Sequence, residues 1–264
     1  DKTGFADSSH LQSSDSASAT IIVYTLPVPD PTYAHQTGLK DVPVRLTVGY
    51  SSPGFPPVPS DNITWSKTGD VSWSGWSSGY SLSTDNLTMT IASMQYYKAG
   101  TYNVLLGNLA GQVNVTFNLG YAERPEILVS PQTVRVNQNS MVNLDCIGTG
   151  LPKPSIHWLH NGTRLPSSLQ SQTDHTNADL GRRGSFGVKN TLTIQSVSND
   201  MHHGLYECVV ENVYSPSANA SADILVYVPP KVLTPTMDQA VLAGKTVEFT
   251  CNVYGIPKPR VTWF

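Results

Sequence analysis

Two stretches of this 264-residue chain are versions of one another: CIGTGLPKPSIHW at 146–158 and CNVYGIPKPRVTW at 251–263. They lie 105 residues apart, and Gly150, Pro152, Lys153, Pro154 and Trp158 recur as Gly255, Pro257, Lys258, Pro259 and Trp263. Self-similarity at a fixed spacing marks a tandem array, in which each copy is one structural unit. The lead-in to Cys146, Val142-Asn143-Leu144-Asp145-Cys146, alternates apolar with polar. That period of two belongs to a half-buried strand. Prolines at alternate positions then hold the chain extended and keep it out of a ladder. A second cysteine, Cys208, follows Cys146 by 62 residues in the run Gly204-Leu205-Tyr206-Glu207-Cys208.

Residues 40–121 read as a degenerate third copy. Val44-Arg45-Leu46-Thr47-Val48 alternates like the strand to Cys146, with Val48 in the cysteine's place. Ile63-Thr64-Trp65 matches Ile156-His157-Trp158, and Gly100-Thr101-Tyr102-Asn103-Val104 matches the run to Cys208. Alternating Val113, Val115 and Phe117 predict a final strand over 111–119. Ahead of this copy, Thr20 to Leu26 is β-branched and apolar and predicts a first strand, broken by Pro27 to Pro31. Residues 121–126 read as a short joint. Ala222 to Val228 reads as the last strand of the central copy, with Pro229-Pro230 directly after. Joints this short predict modules set end to end as a stiff rod.

The Cys, Trp and Gly-x-Tyr-x-Cys spacings, with Gly-x-Pro-x-Pro before the Trp, resemble the intermediate-set domains of the immunoglobulin superfamily. The resemblance covers about 122–264 well and 40–121 loosely. It implies an all-β fold of tandem immunoglobulin-like β-sandwiches. It also implies a Cys146–Cys208 disulfide between the sheets, with Trp158 and Tyr206 buried beside it, and Trp65, Tyr102 and Trp263 as core counterparts. Val48 and Val104 would keep the equivalent space in the first copy apolar without a crosslink. A fibronectin type III sandwich is the alternative for that copy. Cys251 would be left unpaired, its partner falling beyond Phe264. The resulting division is a disordered polar lead-in at 1–18, domains at 19–121 and 122–228, and the start of a third at 229–264. The family usually carries Asp two residues before the Gly that opens the strand of the second cysteine. Here Lys98 and His202 stand there, with Asp200 nearby.

Charged residues make up only 13% of the chain and the formal net charge is -3. No basic cluster suited to neutralising phosphates is present, which argues against nucleic acid. No apolar run is long enough to insert in a membrane. The catalytic signatures Gly-x-Ser-x-Gly and His-Glu-x-x-His and a phosphate-cradling glycine loop are missing, so no enzyme activity, cofactor or metal site is expected. His202-His203, with His157 and His160 elsewhere, satisfies no ligand spacing.

Five Asn-x-Ser/Thr sequons, at Asn62, Asn86, Asn114, Asn161 and Asn219, are candidate glycosylation sites. Asn161-Gly162 reads as a hairpin tip. Asn86 and Asn114 read as solvent-facing positions at or within strands. Trp73-Ser74-Gly75-Trp76-Ser77 matches the Trp-Ser-x-Trp-Ser box of cytokine receptors and thrombospondin repeats, but lacks their arginine ladder and cysteines. Trp-x-x-Trp is also a C-mannosylation pattern, with Trp73 as acceptor. The plainer reading is an aromatic hairpin in which Trp73, Trp76 and Tyr80 are partly exposed and available for binding. Arg182-Arg183 reads either as an acidic-partner contact or as a solvated loop.

The resemblance implies an extracellular cell-surface adhesion or recognition protein that binds other proteins, homophilically or heterophilically. The ectodomain of a receptor tyrosine kinase is the alternative, and a matrix array a third. A disulfide together with sequons speaks against a cytosolic muscle array. The binding face is expected in the first domain or at the joint between the first and second.

Overall fold

The computed structural model describes residues 20–30, 35–69, 79–176, 186–234 and 237–264. The lead-in at 1–18, Trp73 and Trp76 and Arg182-Arg183 lie outside the described residues. Among these residues the chain is built of strands, and helix is confined to single turns of three or four residues.

The first unit holds two sheets. One has the order β3-β7-β6, from Val44–Thr47, Thr88–Ile91 and Tyr80–Leu82. The other runs β9-β8-β5, from Gly111–Val129, Gly100–Asn108 and Ile63–Lys67, with β2 (His35–Leu39) parallel to β9. A short pair, β1 (Val28–Pro29) with β4 (Tyr50–Ser52), flanks them. The second unit repeats this plan. Its first sheet is β9-β11-β15-β14, where β11, β14 and β15 are Val142–Leu151, Gln170–His175 and Phe186–Ile194. Its second is β10-β17-β16-β12-β13, from Val134–Asn137, Ala218–Thr234, Gly204–Glu211, Ser155–His160 and Thr163–Arg164. Here β10 pairs in parallel with β17, as β2 does with β9. The first unit therefore has the topology of the second, disulfide or not.

Alternation places one face of each strand inside. Val142, Leu144 and Cys146 of β11 face Trp158, Tyr206, Cys208 and Ile224 in one core. Val44, Leu46 and Val48 face Trp65, Tyr102, Val104 and Phe117 in another. Cys146 and Cys208 form the disulfide with a Cα–Cα distance of 6.4 Å. Val48 and Val104 are both buried and fill the corresponding space. The Trp158 indole donates to Asn190 Oδ1 at 3.1 Å, and Asn190 in turn donates to the Ile156 carbonyl at 2.8 Å. In the first unit the Trp65 indole donates to the Asn86 carbonyl at 2.8 Å instead.

Both tyrosine hydroxyls donate to the carbonyl four residues upstream, Tyr102 to Lys98 at 2.6 Å and Tyr206 to His202 at 3.1 Å. Gly100 and Gly204 open these strands at φ of 135° and 137°, where a Cβ would be strained. The residues standing in for the family's Asp act differently from it. Lys98 is buried, donates from Nζ to the Ser93 carbonyl at 3.0 Å and lies 5.1 Å from the Tyr80 ring centre, and burial lowers its pKa. His202 accepts the Ser198 backbone N–H on Nδ1 at 3.0 Å.

Three expectations change. Thr20 to Leu26 is not a strand: Thr25 bridges Phe55 and its neighbours are exposed, because a strand pattern without a ladder partner stays single. Residues 121–126 are not a separate joint. They lie inside β9, which runs from one unit into the next, and β17 likewise continues past Pro229 to pair with β18, Asn252–Ile256. Trp263 is not a core residue here but 57% exposed. Among the described residues after 236, β18 is the sole strand, so no second sheet covers the indole.

Candidate recognition surface

Each unit begins with the same crossing. In the second, the entering strand β9 passes over the end of β11, with Glu123 opposite Leu151. Leu151-Pro152 is a cis peptide. A Cβ on Gly150 would stand 3.5 Å from the Arg124 carbonyl oxygen and from Pro125 Cα. At the third, Val228 lies opposite Ile256, Ile256-Pro257 is cis, and a Cβ on Gly255 would stand 3.2 Å from Pro230 Cα. At the first, Thr25 lies opposite Phe55, Phe55-Pro56 is cis, and a Cβ on Gly54 would stand 2.8 Å from the Pro27 nitrogen. At Gly54 backbone alone excludes a Cβ, whereas the tightest neighbour is the Asn212 amide nitrogen at 3.0 Å for Gly150 and the Pro259 ring at 2.8 Å for Gly255.

An asparagine fastens the crossing. Asn212 donates from Nδ2 to the Glu123 and Pro152 carbonyls, both at 3.0 Å, and accepts the Tyr214 N–H on Oδ1 at 2.9 Å. Asn108 does the same in the first unit, donating to the Thr25 and Pro56 carbonyls at 2.8 and 2.9 Å and accepting from Ala110 at 2.9 Å. Each stands four residues after the strand position of the second cysteine, Cys208 or Val104. Neither asparagine belongs to a motif of the sequence. The spacing was the available signal. The Arg124 guanidinium adds a bond from Nε to the Ser215 carbonyl at 2.8 Å. We expect Asn212→Ala to lower the urea-unfolding free energy of the second unit by about 2 kcal/mol, since three backbone groups lose their partner together.

Beside this joint a groove of about 490 Å³ is lined by Pro152, Lys153, Pro154, Gln172, Glu211 and Val213. Val213 is 79% exposed and Lys153 pairs with Asp174. His157 Nδ1 lies 3.2 Å from Glu211 Oε1, while burial foremost and the Arg164 charge next hold its pKa below the usual histidine value. The groove offers rigid apolar ring edges with a cation and a carboxylate at its rim, a chemistry suited to a protein segment.

The other predicted residues are scattered. Tyr80 is half-buried, its hydroxyl 3.4 Å from that of Tyr102 and its ring under Lys98, so its described contacts are packing contacts. The outer face of β8 and β9 is an uncharged carpet in which Thr101 bonds Asn118 at 3.1 Å and Thr116 bonds Asn103 at 3.0 Å. Asn62, Asn114, Asn161 and Asn219 are exposed. Asn161 forms the hairpin tip between β12 and β13 at φ 47°. Asn86 departs from expectation. It is a half-buried turn residue at φ 58° whose Nδ2 donates to the Ser60 carbonyl at 2.9 Å. His203 accepts the Val226 N–H on Nδ1 at 3.3 Å, beside the His202 bond to Ser198.

Residues 124–212 match the family model described as immunoglobulin domain, and 230–264 match that of the immunoglobulin I-set domain. The chain is similar to peroxidasin homolog of Homo sapiens, with 30% identity over 183 residues, 68% of this chain and 11% of that protein. It is similar to hemicentin-1 of Mus musculus at 31% over 206 residues, 78% of this chain and 3% of that protein. It is also similar to cell adhesion molecule Dscam2 of Drosophila melanogaster at 27% over 170 residues, 62% of this chain and 7% of that protein. The chain thus spans about a tenth or less of the length of these relatives. Among solved structures, an I-band fragment of titin superposes with a TM-score of 0.59 at 20% identity, covering 89% of this chain and 77% of that one, a likeness of fold. Strand order, inter-sheet disulfide and both family matches agree: the chain is a tandem array of immunoglobulin domains and belongs to the immunoglobulin superfamily.

Proposed function

We propose that this chain is part of an extracellular recognition protein, without catalysis of its own, that binds other proteins through its immunoglobulin modules. The observation that carries this reading is the shared strand. β9 closes the first module and opens the second, and β17 does so for the second and third. Modules joined in this way hold a fixed relative orientation, and the groove beside the joint, lined wholly by the second module, is held in place on that rigid frame, which lowers the ordering cost of binding. The Cys146–Cys208 disulfide fits an oxidising compartment. Similarity to a protein named as a cell adhesion molecule supports the same role.

The test uses the whole chain, secreted from animal cells and coupled to fluorescent beads. Beads that clump mark self-recognition, and beads that decorate cells mark a different partner. Beads that remain dispersed and bind no cell type in a broad panel contradict the reading. Val213→Asp is expected to weaken whichever binding is seen by about tenfold, as loss of one exposed apolar contact does, with the unfolding midpoint unchanged. Peptide mapping of the same secreted material after peptide N-glycosidase is expected to show Asn62, Asn114, Asn161 and Asn219 converted to aspartate. Asn86, half-buried and with its amide held on the Ser60 carbonyl, is expected to remain asparagine.

A further inference from the structure

The run ahead of the first module has the look of a strand and, among the described residues, no ladder. Ser18-Ala19-Thr20-Ile21-Ile22-Val23-Tyr24-Thr25-Leu26-Pro27 reads against Ser221-Ala222-Asp223-Ile224-Leu225-Val226-Tyr227-Val228-Pro229-Pro230 with six identities, Ile21, Val23 and Tyr24 among them. The structure supplies the same register independently. Thr25, Glu123 and Val228 each stand opposite the middle residue of a Gly-x-Pro run, at Phe55, Leu151 and Ile256. Asn108 and Asn212 each hold the carbonyl of that residue in their module. On this register Ile21 corresponds to Leu119 and Ile224, and Val23 corresponds to Tyr121 and Val226.

The corresponding residues have partners. Leu119 pairs with Gly100 of β8, and Ile224 pairs with Gly204 of β16 and with Val134 of β10. Leu119 is 3% exposed, Ile224 0% and Val226 1%, whereas Ile21 is 88% exposed and Val23 67%. A position buried twice in the same chain by the same two neighbours is bare at its third occurrence.

We infer that Ile21–Tyr24 is the end of the last strand of a further immunoglobulin module on the N-terminal side, and that this module's open sandwich is the partner the run fits. That module's penultimate strand would pair with it antiparallel, and a short early strand would pair with it in parallel. Ile21 and Val23 then enter its core, and the Thr25–Phe55 crossing becomes a joint like those at Glu123 and Val228. The inference rests on the repeat register, and it stands or falls separately from the recognition reading.

Amide hydrogen exchange tests it in two proteins, the 264-residue chain and the longer protein that includes whatever the gene encodes ahead of Asp1. In the shorter chain Ile21–Tyr24 exchange at the rate of unpaired backbone. In the longer protein their exchange is expected to slow by at least about a hundredfold, as for amides of a core strand, and Val23→Asp is expected to restore fast exchange there. Equal, fast exchange in both proteins overturns the inference. So does an upstream sequence without the Cys, Trp and Tyr spacing of the central module. Slow exchange in the shorter chain, lost on dilution and in Val23→Asp, identifies a second copy as the partner and also overturns it.

Discussion

Trp158→Ala is expected to unfold the second module at physiological temperature while the first stays folded. Trp158 is fully buried among Cys146, Cys208, Tyr206 and Val188. Truncating a buried tryptophan to alanine costs about 3–5 kcal/mol through lost burial and the cavity left behind. A second cost arises here. The buried Asn190 carbonyl oxygen loses the indole N–H it accepts, and an unsatisfied buried acceptor adds about 1–3 kcal/mol. A single domain has about 5–15 kcal/mol in total, so the two costs together remove most of it. Trp158→Phe separates them, since it keeps most of the volume and loses the donor. The two cores are distinct clusters. Denaturation followed by near-ultraviolet circular dichroism should therefore show the transition of the second module lost and that of the first retained. Loss of both transitions would mean that the modules do not fold as separate cores.

The paired replacement Cys146→Ala and Cys208→Ala is expected to lower the stability of the second module by about 4 kcal/mol, the chain-entropy contribution of a crosslink closing a loop of this length. The bond spans a sequence separation of 62 residues and joins β11 of one sheet to β16 of the other. Reductant should act in the same direction on the native chain. The first module is the internal control, because Val48 and Val104 fill its inter-sheet space without a bond. Its transition should be indifferent to dithiothreitol. If reduction moved both transitions equally, the disulfide would be acting through the joint and not within its own sandwich.

The legible parts of this chain were those in which one residue type has one physical task. Cys146, Trp158, Tyr206 and Cys208 were readable because an inter-sheet bond, a large buried ring and a corner hydroxyl each admit few substitutes. Trp65, Tyr102 and the two valines were readable by alignment with them. The joints were not. Glu123-Arg124-Pro125 carries two charges and a proline, and local pattern cannot reveal that its strand continues across a module boundary in a new ladder. Gly54-Phe55-Pro56 repeats Gly150-Leu151-Pro152, yet ten residues separate Phe55 from Trp65 against seven from Leu151 to Trp158, which hid the match. Asn108 and Asn212 looked like turn residues, because a polar side chain after a strand carries no sign of which carbonyls it will reach. Thr20 to Leu26 had the composition of a strand, but a ladder depends on what lies beside it. Trp263 had the right spacing and lacked a second sheet to cover it.

β9 runs unbroken from Gly111 to Val129 and is expected to fix the first two modules relative to each other. Double electron–electron resonance measures this directly, with nitroxides at Arg45→Cys on β3 and Asn143→Cys on β11 in a Cys251→Ser background. Both labelled positions are exposed. A single narrow distance distribution, broadened by Asn212→Ala, is the predicted result. A broad distribution that Asn212→Ala leaves unchanged would show two modules turning freely about a linker, and would contradict it.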